Sequence, residues 1–218
     1  MKVIFKYDLN KDVTNFLKST KSKNNKKLTQ LASEYVNRHG DDFNHETVSA
    51  FIARYQKEHS VDPENIKNKI ESKWQGIQGD FFNKTEEIFN TNFKKDFITC
   101  YLTTETRCTY NIQENYFYTT MQYPDKANWL IMHEILHFYT WQEYKSKLTK
   151  LGIDDKEYNE IKEALTVLLN SEYKDLMGAE IDKGYPQHQE LRAEITNWWK
   201  NYRDLDLVIE KVVKYIKK

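Results

Sequence analysis

Asn128-Trp129-Leu130-Ile131-Met132-His133-Glu134-Ile135-Leu136-His137-Phe138-Tyr139 is the stretch on which the reading of the chain turns. Leu130, Ile131, Met132, Ile135, Leu136, Phe138 and Tyr139 carry no charge, in a chain whose charged residues make up 30%. A helix apolar on all sides is a buried helix. Residues four apart stand one above the other on one helical face, so His133 and His137 can offer two imidazole nitrogens to one metal ion. Glu134 then lies beside the first of them, placed to take a proton from a water. The plainer alternative is a pair of core histidines bonded to carbonyls, with Glu134 paired to a lysine. Three buried polar groups in this order are costly without a metal, which favours the metal reading.

The composition frames that helix. The chain has 218 residues, of which 39% are hydrophobic and 14% aromatic, enough for a core and against wholesale disorder. Its 33 basic and 33 acidic residues cancel, which argues against a nucleic acid or an acidic membrane as partner. Six Gly and three Pro favour long helices. Two cysteines, Cys100 and Cys108, exclude a disulfide scaffold. No run approaches the ~18 apolar residues of a membrane span. The first eight residues read as a strand rather than a signal peptide, so the expectation is a cytoplasmic protein with reduced thiols. Oligomeric state is left open.

Upstream of the central stretch, Lys11 to Lys18 reads as a helix, and the lysine-rich run from Lys18 to Lys27 as a solvated connector. Leu28, Leu31, Ala32, Tyr35 and Val36 keep helical spacing up to Gly40. Asn44 caps a second helix through Val48, Phe51, Ile52 and Tyr55, and Asp62-Pro63 opens a third. Gly79-Asp80 is expected to break the chain before a shorter helix ending near Phe89. His39, His45 and His59 fall at polar or terminal positions and read as surface histidines. Residues 1–90 thus read as an N-terminal helical part and 91–218 as the metal-binding part, packed either as two domains or as one compact unit.

From Phe97 the pattern changes. Phe97 to Thr104, Arg107 to Ile112 and Asn115 to Met121 are rich in β-formers and read as a small antiparallel sheet leading into the helix of His133. An edge strand near a catalytic metal can bind an extended peptide, with Tyr118 as the candidate contact.

The third metal ligand must come from elsewhere. Thr140 and Glu143 stand where a metzincin continues with Gly and His, so that family is excluded, and the helix is expected to run on toward Lys150. Peptide deformylases use an upstream Cys, but their Glu-Gly-Cys-Leu motif is missing here. After Leu151-Gly152, an Asp cap at 154 or 155 opens a helix from Glu157 to Asn170. Glu163, with 25 residues between it and His137, enters the apolar part of that helix; Glu160, one turn earlier and nearer the polar start, is its rival.

His133-Glu134-Ile135-Leu136-His137 followed by Glu163 resembles the gluzincins, zinc peptidases whose third ligand is a Glu on the helix after H-E-x-x-H. The resemblance implies a zincin-like α+β fold, mainly α-helical, with zinc on His133, His137 and Glu163, and Glu134 as general base in peptide hydrolysis. Many gluzincins carry an Asp four residues after the Glu ligand, which supports a metal-bound His. Val167 stands there, so that support has to come from Thr166, Asn170 or a residue not identified in the sequence. Tyr185 and His188 resemble, by order and type, the His or Tyr that stabilises the oxyanion in several members. Arg192, one turn beyond His188, can hold a substrate carboxylate or one of the acidic side chains. The competing expectation is a non-catalytic zinc protein whose helical N-terminal part binds a partner.

Overall fold

The computed structural model describes residues 1–21 and 28–217; most of the expected lysine-rich connector, residues 22–27, lies outside them. The chain is about 66% helical with one four-stranded sheet, which makes it α+β and mainly α. It forms two compact units, each made of two chain segments, where the sequence suggests a single division near residue 90.

The first unit is Met1–Gly76 with Lys95–Ala127. It holds β1 (Lys2–Lys6), α1 (Leu9–Lys21), α2 (Gln30–His39), α3 (His45–Glu58) and α4 (Pro63–Gln75), then β2 (Phe97–Thr103), β3 (Tyr110–Asn111) and β4 (Tyr116–Thr120). α3 and α4 start where the sequence places their caps: Asn44 accepts from the amide of Thr47, and Asp62 from that of Asn65. α2 starts after Leu28, at a cap the pattern did not mark, Thr29, which accepts from the amide of Ala32. Phe16, Tyr35 and Phe51 interlock at the centre of the helical core, with ring centroids 5.5 Å apart for Phe16–Tyr35 and 5.2 Å for Tyr35–Phe51.

The sheet corrects one expectation. Its order is β1-β2-β4-β3, with β1–β2 and β2–β4 parallel and only β3–β4 antiparallel. Three consecutive short strands suggest hairpins, but residues 104–115 between β2 and β4 form a connection of about the dozen residues a parallel crossover needs. The N-terminal strand, which pattern alone left without a partner, fills the far edge beside β2. All five residues of β4 are buried, as a strand flanked on both sides requires.

A polar cluster ties α1 to the end of β2. Asp12 is fully buried. Its Oδ1 accepts from the Thr103 hydroxyl (2.6 Å) and the Thr104 amide (2.9 Å), and its Oδ2 from the Thr104 hydroxyl (2.6 Å). Asn15 donates to Thr103 Oγ1 and to the carbonyl of Arg107. Burial lifts the Asp12 carboxyl to about 6, against the pull of these donors.

The second unit is Ile77–Lys94 with Asn128–Lys218. Its helices are α5 (Gln78–Phe89), α6 (Ala127–Lys150), α7 (Asp155–Leu165), the short α8 (Leu169–Glu172) and α9 (Lys174–Met177), then α10 (Gln189–Tyr202) and α11 (Leu205–Ile216). The break expected at Gly79-Asp80 comes earlier, at Gly76-Ile77, and Gly79 lies in the first turn of α5. Phe89 and Phe93 stack on Tyr139 of α6 at 5.4 and 5.1 Å, so the α5 segment covers one flank of that helix. Gly152, at φ 78°, lets the chain leave α6 and enter α7. Asp154 and Glu157 form a reciprocal capping box there.

The helix expected to run unbroken to Asn170 stops at Leu165 and passes into a 3-10 turn over Thr166–Leu168. The reason is local: the carbonyl of Glu163 is taken by the Thr166 hydroxyl (2.7 Å) and by Arg192 Nη1 (3.2 Å). No helix among the described residues is long and apolar enough to cross a membrane, and Cys100 and Cys108 are not bridged.

Candidate metal centre

The site is built on two helices and one loop of the second unit. α6 is buried along Ile131–Thr140, His133 excepted at its partly open edge. One helical turn sets His133 and His137 one above the other, with ring centroids 4.6 Å apart and nearly perpendicular. Ligand atoms of His133, Glu134 and His137 all fall within 4.8 Å of one another.

α7 supplies the facing carboxylate. Glu163 Oε2 lies 3.6 Å from His133 Nε2, and its Oε1 3.4 Å from His137 Nε2. Glu160, its rival in the sequence, lies 3.9 Å from Lys156 with 42% of its side chain exposed. Glu163 Oε1 also accepts from Lys162 Nζ. Lys162 is buried, 4% exposed, and was not picked out from the sequence.

The support that Val167 cannot give comes from Asp182, in the loop between α9 and α10. Its Oδ2 is 2.6 Å from His133 Nδ1 and accepts from the Trp129 indole at 3.3 Å. Asp182 is itself clamped. Arg192 Nη2 donates to its Oδ1 (2.8 Å) and carbonyl (2.6 Å), and the Thr166 hydroxyl oxygen lies 3.1 Å from Oδ1. Asn170 exchanges two 2.8 Å bonds with its backbone. The two residues considered for this support therefore act one step back, holding the Asp that touches His133. Arg192 takes the inward of its two expected roles: it is 3% exposed and bound to Asp182, Thr166 and the Glu163 carbonyl, which leaves it turned away from solvent and from any substrate. Its guanidinium crosses the backbone at Gly184 (φ 59°), where a Cβ would come within 2.7 Å of Cζ.

Electrostatics divide these groups. Burial works against a charged His133, but bonds to Asp182 and Glu163 outweigh it and hold its proton up to about 10. Burial, with the charges of Lys162 and His133, pushes His137 well below the usual imidazole range. Burial would raise Glu163, yet its bond to His133 and the charges around it keep it ionised well below the carboxylate range. Glu134 goes the other way. It is 8% exposed, burial lifts its carboxyl to about 7, and its Oε2 has no hydrogen-bond partner among the described residues.

Tyr185 and His188 border this cluster. Tyr185 is half exposed; burial of its hydroxyl, with the nearby charges of Glu163 and Glu134, raises it and keeps the phenol protonated. His188 is buried beside it, ring centroids 5.6 Å apart, and burial lowers it toward the neutral form. It precedes α10 at the cap position, after a 3-10 turn that begins at Pro186. Tyr118 belongs to the first unit, inside β4 between β2 and β3, and is 1% exposed. His39, His45 and His59 are exposed, as their polar settings suggest.

The donor set passes a test of fit for a divalent metal. Two imidazole nitrogens converge on both oxygens of one partly buried carboxylate, and a second, buried carboxylate keeps an uncommitted oxygen beside them. Neutral nitrogen, ionised oxygen and an outer Asp on one His are the parts of a metal centre that can hold water. Compared with protein-family models, with curated proteins and with solved structures, the chain matches none.

Proposed function

We propose that the chain is a zinc-dependent metallopeptidase, with His133, His137 and Glu163 as the ligands and Glu134 as general base. The observation that carries this reading is the contrast between two glutamates, Glu163 partly buried and Glu134 buried. Glu163 has both oxygens turned to the imidazoles, whereas Glu134 has an oxygen without a partner and a carboxyl lifted to about 7. Zinc suits a set of two nitrogens and one carboxylate oxygen, and when bound it supplies a Lewis acid and water activated near neutral pH.

The chain's own groups supply the rest. Asp182, bonded at Nδ1 of His133, fixes the ring so that Nε2 is the nitrogen left to a ligand. Burial poises Glu134 to accept a proton from water and to release it to the leaving amine within a narrow pH range about neutrality. Tyr185, whose phenol stays protonated, is a donor for the oxyanion, and His188 packs against its ring. The fixed bonds of Arg192 and Asp182 keep this arrangement from depending on substrate for its assembly.

Glu134→Gln tests the assignment, since it keeps shape and removes the base. Hydrolysis of unstructured peptides is expected to fall ~10²–10⁴-fold while zinc content, measured by elemental analysis, stays at the wild-type level. A wild-type protein that holds zinc tightly, with all four positions closed by protein atoms and no peptide cleaved, would instead mark a structural metal site.

A further inference from the structure

We infer that Lys162 is the resident counter-ion of the metal centre, standing in for part of the charge a metal brings and so setting how tightly the metal is held. The inference rests on the metal-site reading above and concerns a residue to which that reading gives no task.

The geometry singles Lys162 out. It precedes Glu163 on α7, is 4% exposed, and donates from Nζ to Glu163 Oε1, the same oxygen that lies 3.4 Å from His137 Nε2. Long cations are almost never buried this far without a task for the charge. Its charge is felt by Glu134, His137, Tyr185 and His188 as well, which sets it among the groups of the centre rather than at the rim.

A count of charge says what it does there. Three carboxylates meet in the centre, Glu134, Glu163 and Asp182, and two fixed cations, Arg192 and Lys162. Arg192 is committed to Asp182, so of these two fixed cations Lys162 is the one that meets a glutamate. With both imidazoles neutral, as metal ligands must be, and both glutamates ionised, the cradle without Lys162 carries −2, which a dication neutralises. With Lys162 the same cradle is −1, and a dication leaves it at +1. Repulsion between a dication and a buried cation a few ångströms away is large in a medium of low polarity, whereas the help Lys162 gives by orienting Glu163 is that of one hydrogen bond. Repulsion decides the sign: Lys162 holds the carboxylate in place in the metal-free protein and weakens the metal once it arrives.

The test is the dissociation constant of Zn²⁺ for the full chain, measured by competition with a fluorescent chelator. Lys162→Met, similar in length and uncharged, is expected to bind Zn²⁺ at least ~10-fold more tightly than wild type, and Lys162→Arg, which keeps the charge, to stay within ~3-fold of it. If the methionine variant does not fold, as read by circular dichroism, Lys162→Gln takes its place with the same expectation. Unchanged or weaker binding in the neutral variant, or equal tightening in Lys162→Arg, overturns the inference and leaves the metal site standing. A wild-type protein that binds Zn²⁺ no better than its His137→Ala variant overturns both.

Discussion

Each unit buries a carboxylate on a helix, and the two could hardly be treated more differently. Asp12 in the first unit has both oxygens filled by Thr103 and Thr104. Glu134 in the second is also buried, at 8% exposed, yet one oxygen meets no donor among the described residues. A saturated acid is a fastening: it joins α1 to the end of β2, and its hydrogen bonds offset the cost of burying it. An unsaturated one keeps that cost, and such groups concentrate where chemistry is done. Burial raises both carboxyls, to about 6 and about 7, so a shifted pKa does not separate the two; the count of hydrogen bonds does.

The contrast breaks most readily at Asp12. Asp12→Ala strips the acceptor from two hydroxyls and one amide, and is expected to destabilise the protein by roughly 2–4 kcal/mol in denaturant melts, with zinc affinity unchanged. A loss of zinc binding in that variant would mean that the fastening is part of the metal centre.

Asp182→Asn carries the question to the other unit. The substitution keeps an acceptor for His133 and drops its charge, and zinc affinity is expected to fall ~10–100-fold by chelator competition, the usual cost of losing an outer partner. Full wild-type affinity would remove Asp182 from the centre and leave His133 oriented by Glu163 alone.

The smallest effect sharpens the contrast through pH. Each acid binds its proton more tightly folded than unfolded, so each contributes stability that fades as pH rises: Asp12 from about 4 to about 6, Glu134 from about 4.5 to about 7. In metal-free protein each contribution is on the order of 3 kcal/mol at most. Stability measured against pH is expected to lose the lower window in Asp12→Asn and the upper one in Glu134→Gln. Saturating zinc should flatten the upper window alone; a profile in which zinc alters both windows would tie the two acids together.

Much of this was legible in the sequence, and the rest was hidden for identifiable reasons. Helix caps and the H-E-x-x-H helix are written locally, in residues three or four apart, and Asn44, Asp62 and Asp154 cap where the pattern puts them. The sequence favours Glu163 over Glu160 because a carboxylate entering an apolar helix needs a partner, and in the structure Glu163 faces the imidazoles. Sheet order was not legible, since β1 and β2 meet across about ninety residues of chain and neither strand's pattern names its neighbour. Asp182 and Lys162 were missed for a related reason. An Asp in a polar loop and a Lys beside a Glu on a helix look like solvated charge until the fold turns them inward. The one available clue was a deficit: with Val at 167, a metal-bound His lacked its expected support, which had to come from Thr166, Asn170 or a residue the sequence did not identify.

Gly184 carries a consequence of its own. The guanidinium of Arg192 lies against a backbone with no side chain, and from there bonds lead to Asp182 and on to His133. The setting of a metal ligand is thus transmitted from a position that contributes no functional group, like a clearance machined into a linkage. A single methyl placed in that gap would push on the guanidinium, and the displacement would be delivered two side chains away, at the imidazole.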